Sequence, residues 1–190
     1  MKKSLGARTL LMPTPVLLVG TYDESGRPNA MTVAWGGVVC SKPPSLSVSL
    51  RLNRYTYESL LKRKAFTVSI LSEKHVAEAD YFGMVSGRKV DKFHRTGLTP
   101  VRSEVVDAPY VEESPLVLEC AFIKTVEIGV HTQIIGEILD VKADEEVLNE
   151  EGLPDASRVM PMIYIPECGL YYGFGKVIGK AYSAGKKYLD

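Results

Sequence analysis

Cysteine, histidine and tryptophan are scarce in this 190-residue chain, and net charge is absent. Its three cysteines, Cys40, Cys120 and Cys168, form an odd, widely spaced set without a C-x-x-C pair. That spacing argues against a disulfide framework and fits a reducing, cytoplasmic setting. The three histidines, His75, His94 and His131, lie too far apart for a sequence-local metal motif, so no metal is expected. Lysine plus arginine equals aspartate plus glutamate at 23 each, which removes the electrostatic footprint of a nucleic-acid partner or an anionic membrane. No apolar run approaches the roughly 20 residues of a membrane span. The opening MKKSLGARTLLMPTPVLLVG has the look of a signal peptide, but Arg8, Pro13 and Pro15 interrupt it.

Familiar catalytic signatures are missing too. No serine sits in a G-x-S-x-G elbow, and the loop Ser86-Gly87-Arg88-Lys89 lacks the P-loop pattern. The glycine-rich GFGKVIG, Gly173 to Gly179, is followed by only eleven residues. A dinucleotide fold needs a helix, a strand and an acidic residue after such a motif, so turn glycines are the better reading.

What is present is β structure. Ser45 to Leu52 alternates Leu46, Val48, Leu50 and Leu52 against Ser45, Ser47, Ser49 and Arg51, and Ala65 to Leu71 alternates likewise. Such patterns predict half-buried antiparallel strands. Strands are expected at Val16 to Tyr22, Asn29 to Gly36, Pro115 to Ile128, His131 to Ala143, Met162 to Ile165 and Leu170 to Phe174. Helices are expected at Arg54 to Lys64, capped by Asn53 or Thr56, at Lys74 to Val85, and in short form at Asp144 to Glu150 and Lys180 to Leu189. Strands dominate without β-α-β alternation, which favours a mainly β barrel with peripheral helices. A single domain over residues 1–190 accommodates it.

Three strand faces carry only small side chains: Ala30, Thr32 and Ala34; Ser45, Ser47 and Ser49; Thr67 and Ser69. In one sheet they let a flat ring approach the backbone. Arg51 and Arg54, with Thr56 near a helix start, offer donors for a phosphate. Phosphate and ring together would make a mononucleotide such as FMN. Read alone, each strand is more simply a solvated face, and each arginine a surface charge.

In order, RPNAMTVAW, SVSLRLNRYTYE, DKFHRTGLTP, PLVLEC and GVHTQIIGEI resemble the flavin reductase-like family of FMN-binding split barrels, from about Leu11 to Tyr172. The resemblance implies a six-stranded antiparallel split barrel, a homodimer, and FMN held non-covalently near the subunit interface. By position, Asn29, Met31, Thr32, Ala34 and Trp35 would line the flavin ring, Ser49, Leu50 and Arg51 its edge and ribityl chain, and Arg51, Arg54, Tyr55 and Thr56 the phosphate. Ser69 would lie in a lining strand, and Asp91 and Lys92 in a loop over the cofactor.

Where many relatives of that family carry Gly-Asp-His for the nicotinamide donor, this chain has Gly129-Val130-His131. The change puts NAD(P)H use in doubt and favours a redox protein that exchanges electrons with a protein electron donor or acceptor. An NAD(P)H-dependent flavin reductase is the alternative, and a split-barrel binding module without redox chemistry the third reading. His131 would contact a donor or the second subunit, or else be structural. Cys40 would be a redox thiol beside the flavin, or a buried structural one.

Overall fold

A computed structural model describes residues 1–189. Seven strands form its main sheet: β1 (Leu17–Tyr22), β2 (Pro28–Val33), β3 (Gly36–Ser41), β4 (Pro44–Leu50), β5 (Ala65–Ile70), β6 (Leu116–Ile128) and β7 (His131–Ala143). They run in the order β2-β1-β5-β6-β7-β4-β3, with every pairing antiparallel. The sheet curls until the Ser49 amide donates to the Trp35 carbonyl at 2.8 Å, bringing the bend after β2 against β4. The result is a split barrel, as expected, with one strand more than the six anticipated.

The extra strand has a local cause. The segment expected to run unbroken from Asn29 to Gly36 bends at Ala34 and Trp35 and re-enters the sheet as β3. Gly36 fits this corner because a β-carbon there would stand 2.8 Å from both Leu17 Cδ1 and the Ser47 carbonyl. Two-residue periodicity cannot register such a break.

Alternation then sorts the side chains into two cores. Leu17, Val19, Val33, Leu46, Val48, Leu50, Phe66, Val68, Cys120 and Ile134 fill the barrel, with Met31 packed beside them. The other face of β1 and β2, with Leu18 and Ala30, packs under two helices, α2 (Val76–Met84) and α3 (Lys92–Thr96). The small face of β2 thus makes room for a helix first. Thr32 Oγ1 donates to the Ala79 carbonyl, and a β-carbon on Gly83 would sit 3.4 Å from Thr32. Helix α1 (Tyr55–Arg63) adds Leu60 to the barrel core. Neither Asn53 nor Thr56 caps it; Arg54 holds the cap position, without a side-chain bond.

The remaining expectations shift by a residue or two, except two helical ones: Asp144 to Glu150 reduces to a 3₁₀ turn at Glu145–Val147, and Lys180 to Leu189 to another at Lys186–Tyr188. Helix α3 went unforeseen, being five residues long. Ile163–Ile165 is the middle strand of a separate small sheet, pairing with Thr14–Pro15 on one side and Leu170–Tyr172 on the other. Among the described residues, no helix is long and apolar enough to cross a membrane.

The barrel interior depends on one vacancy in the side-chain pattern. Phe66 is fully buried, and a β-carbon on Gly136 would lie 2.5 Å from its ring. The β6–β7 ladder shifts register at Ile135/Gly136, so the hairpin bends where the ring needs space. Gly136→Ala is expected to cost about 1–3 kcal/mol by overpacking. Urea denaturation will read that loss, and Phe66→Leu in the same chain should recover part of it.

Candidate functional site

Three adjoining cavities make one cleft along β2, α1 and α2. The narrow one, about 80 Å³, is lined by Arg54, Tyr55, Thr56, Phe82, Gly83, Ser86, Gly87 and Lys92, with Met31, Asn53 and Val85. The central one, about 400 Å³, is lined by Met31, Thr32, Val33, Ala34, Trp35, Ser49, Leu50, Arg51, Arg54, His131 and Tyr164. The outer one, about 360 Å³, shares Thr32, Ala34 and Tyr164 with the central cavity and Gly83 with the narrow one.

The narrow end is built around the start of α1. The Tyr57 amide there donates to the Arg54 carbonyl at 3.0 Å; the amides before it, at Tyr55 and Thr56, have no intrahelical acceptor and, with the helix dipole, favour an anion. Thr56 is held there by Asn29, whose Nδ2 donates to Thr56 Oγ1 at 3.0 Å; Asn29 supports the wall from behind. Asp23 fixes the adjoining tyrosine. Its carboxylate accepts from the Ser25 and Arg27 amides at 2.9 Å, Ser25 Oγ at 2.7 Å, Arg27 Nε at 3.2 Å and Tyr55 OH at 2.9 Å. Burial opposes ionisation of this carboxyl, but those hydrogen bonds prevail and hold it well below the usual carboxylate range. Arg27 continues the chain of contacts to the Gly87 carbonyl at 2.9 Å, pinning the loop after α2.

Lys92 enters the same cavity from α3. Its ammonium is buried, donates to the Phe82 carbonyl at 3.1 Å and the Val85 carbonyl at 3.4 Å, and meets no acid. Burial first, and the Arg54 guanidinium second, push it down to about 8. Among the described residues, Arg51 and Arg54 also have no carboxylate within ion-pair distance. Arg88, by contrast, is paired with Glu58.

At the central cavity, Trp35 is 38% exposed and its ring lies 4.5 Å from that of His131, tilted by 48°. Burial and the Arg51 charge both lower the His131 pKa, keeping the imidazole neutral. Leu50 borders this cavity while its side chain belongs to the barrel core.

The cleft therefore gathers Met31, Thr32, Ala34, Trp35, Ser49, Leu50, Arg51, Arg54, Tyr55, Thr56, Lys92 and His131, with Asn29 just behind. Three expected residues are not brought to it. Ser69 is buried on the opposite side of β5, where its Oγ accepts from the Val111 amide at 3.1 Å. The segment Pro109–Val111 covers that face, which the alternation alone could not show. Asp91 is exposed and caps α3, accepting from the His94 amide at 3.0 Å. Cys40 is exposed on the edge strand β3 rather than buried, its Sγ donating to the Lys42 carbonyl at 3.3 Å, and it lines none of the three cavities. Ser45 and Ser47 are buried rather than ring-facing, Ser47 Oγ accepting from Gln133 Nε2 at 2.9 Å.

Sequence reasoning missed Phe82, Gly83, Ser86, Gly87 and Tyr164. The Ser86-Gly87 turn was legible as a loop but not as a wall. Nothing local to Tyr164 marks it.

A family model described as the flavin reductase like domain matches residues 8–172. The flavoredoxin of Desulfovibrio vulgaris (Miyazaki F) is 55% identical, with a TM-score of 0.95, the match covering 98% of this chain and 100% of that one. Flavoredoxin from Methanosarcina acetivorans is 29% identical with a TM-score of 0.92, covering all of both chains. An uncharacterized Aeropyrum pernix protein is 30% identical over 159 residues, 83% of this chain but 59% of that longer relative. With its split barrel, basic cleft and a domain match over nearly the whole length, the chain belongs to the flavin reductase-like family, and with it to the flavin-binding redox proteins.

Proposed function

We propose that the cleft binds FMN non-covalently and that the protein carries electrons between a protein donor and acceptor. One observation carries this reading: Arg51, Arg54 and Lys92 converge on one cleft without acidic partners, in a chain with no net positive charge to account for it. Three unpaired cations, one of them buried, call for an anion. The cavity around Arg54 and Lys92 is narrow, which suits a terminal phosphate monoester better than a pyrophosphate that must continue outward. Arg54, Lys92, Thr56 and the α1 amides would hold that phosphate. The backbone from Thr32 to Trp35, with Ser49 to Arg51, would face the flat ring.

Flavin, when bound, supplies one- and two-electron exchange. The chain's part is to orient it, to present amides and Arg51 where negative charge accumulates on reduction, and to limit access of water. A neutral His131 at the mouth leaves Arg51 as the positive group there. Exposed apolar side chains on β3, β6 and β7, among them Val38, Val39, Ile128 and Leu139, support a homodimer. A single domain working in the cytoplasm completes this reading. The outer cavity, contiguous with the central one, favours the second reading, an NAD(P)H-dependent flavin reductase, because it leaves space beside the ring.

Anaerobic mixing of FMN-loaded protein with NADH and NADPH discriminates the two. Unbleached flavin that is reduced by dithionite or a small redox protein makes this an electron carrier; rapid bleaching makes it a reductase. Arg54→Ala is expected to weaken FMN binding by about 30- to 150-fold, the value of a lost charge-assisted contact, while leaving riboflavin affinity unchanged. Fluorescence titration measures both.

The lowered Lys92 pKa gives a pH signature. Bound phosphate requires the ammonium, whereas the flavin-free protein loses that proton near pH 8. Binding then takes up a proton, so affinity falls as pH rises through that value. The FMN dissociation constant should increase about tenfold between pH 7 and 9. Lys92→Met should bind FMN more weakly and show a flat profile over the same range.

A further inference from the structure

Charge is not spread evenly along this neutral chain. Residues 14–172 hold 16 lysines and arginines against 22 aspartates and glutamates, a net charge of −6. The two ends reverse it. Residues 1–13 carry three basic side chains and residues 173–189 carry four, and neither segment has an acid. Apart from Leu10, every residue of these two arms is exposed. Among the described residues, Lys2, Lys3, Lys176, Lys180, Lys186 and Lys187 have no carboxylate within ion-pair distance. The tail is also apolar: Val177, Ile178 and Tyr182 are 89%, 95% and 99% exposed, so the body of the chain does not cover them.

The small sheet fixes where the arms begin. Thr14 pairs with Tyr164 and Tyr172 with Ile163, so one arm leaves from each outer strand, at opposite ends of the middle one. Thr14 Oγ1 donates to the Tyr164 carbonyl at 3.0 Å. Arg8 Nη1 and the Thr9 amide donate to the Glu167 carboxylate at 3.1 and 2.9 Å, which ties down the N-terminal arm beyond Ile165. Tyr164 therefore stands between the two arms, and it also lines the central cavity.

We propose that the arms are a docking device for a small acidic redox protein, which the lysines draw to the mouth of the cleft and the tail's apolar side chains hold there. The acidic body repels such a partner, so the division of charge orients it as well as attracting it. A second copy of the chain carries the same arms and no net charge, and gains no comparable long-range attraction. Electron exchange with the docked partner rests on the proposed function; the docking does not.

Biosensor titration of the FMN-loaded full chain with an acidic [2Fe–2S] ferredoxin, and with a basic c-type cytochrome as the probe of opposite charge, tests this. The ferredoxin should bind tighter by about tenfold or more, and its affinity should fall about tenfold between roughly 20 and 200 mM salt. The quadruple variant Lys176→Gln, Lys180→Gln, Lys186→Gln, Lys187→Gln should lose about tenfold in ferredoxin affinity, with FMN affinity and sedimentation mass unchanged. Equal binding of the two probes, or ferredoxin binding untouched by the quadruple variant, overturns the proposal. A fall in the variant's sedimentation mass overturns it as well, since the arms would then hold a second copy. So does lysine-dependent binding to phosphatidylserine vesicles without binding to ferredoxin. Repeating the titration on flavin-free protein separates docking from the proposed function: the ferredoxin preference should persist there even if FMN fails to load.

Discussion

Close packing of Phe66 over Gly136 is the constraint on which the barrel rests. A fully buried ring at the centre of a small barrel needs an opposing position without a side chain, and Gly136 provides it opposite the bulge at Ile123 in β6. Bending there lets the β6–β7 hairpin wrap, so that β4 returns toward the bend after β2 and Trp35 meets Ser49. The central cavity lies along that seam, with lining residues from β2, β4 and β7. A flatter sheet would separate Trp35 from His131 and leave no concave surface between them.

The anion-seeking end depends on a second set of constraints. Asp23 joins the β1–β2 turn to Tyr55 at the start of α1, and Arg27 extends the link to the loop at Gly87. Asn29 fixes Thr56, and Asp91 starts the helix that delivers Lys92. Several polar residues that look like ligands in the sequence therefore act one step behind the cleft. They are satisfied by protein groups, whereas Arg51, Arg54 and Lys92 have no carboxylate partner among the described residues, Lys92 being held by two carbonyls alone. That contrast between paired and unpaired charge identifies the binding groups more sharply than residue type does.

Charge also divides the cleft lengthwise. Lysine and arginine gather at the narrow and central cavities, and the acid and phenols at the outer one. A ligand with a negative tail and a flat head fits the first two. The third is electrically its opposite, though Tyr164 touches both. Such an arrangement suits redox chemistry, in which two molecules must approach closely without competing for one position.

Much of this was determined by the sequence alone. Alternation at Ser45 to Leu52 and Ala65 to Leu71 fixed strands and their inner faces, because burial on one side imposes a two-residue period. The motif run from Arg27 to Ile138 carried the family, and Arg51, Arg54 and Thr56 stood out as phosphate donors by residue type. Tertiary structure decided what covers the other faces. Ser69 and Thr67 face Pro109–Val111, Ala30 faces α2, and Cys40 sits on an edge, none of which local pattern encodes. Helix α3 was too short to show a period, yet it places Lys92. Tyr164 and Asp80, 84 positions apart in the chain, share a cavity only because the small sheet folds back beside α2. Sequence period reports whether a face is buried; only packing of distant segments decides against what.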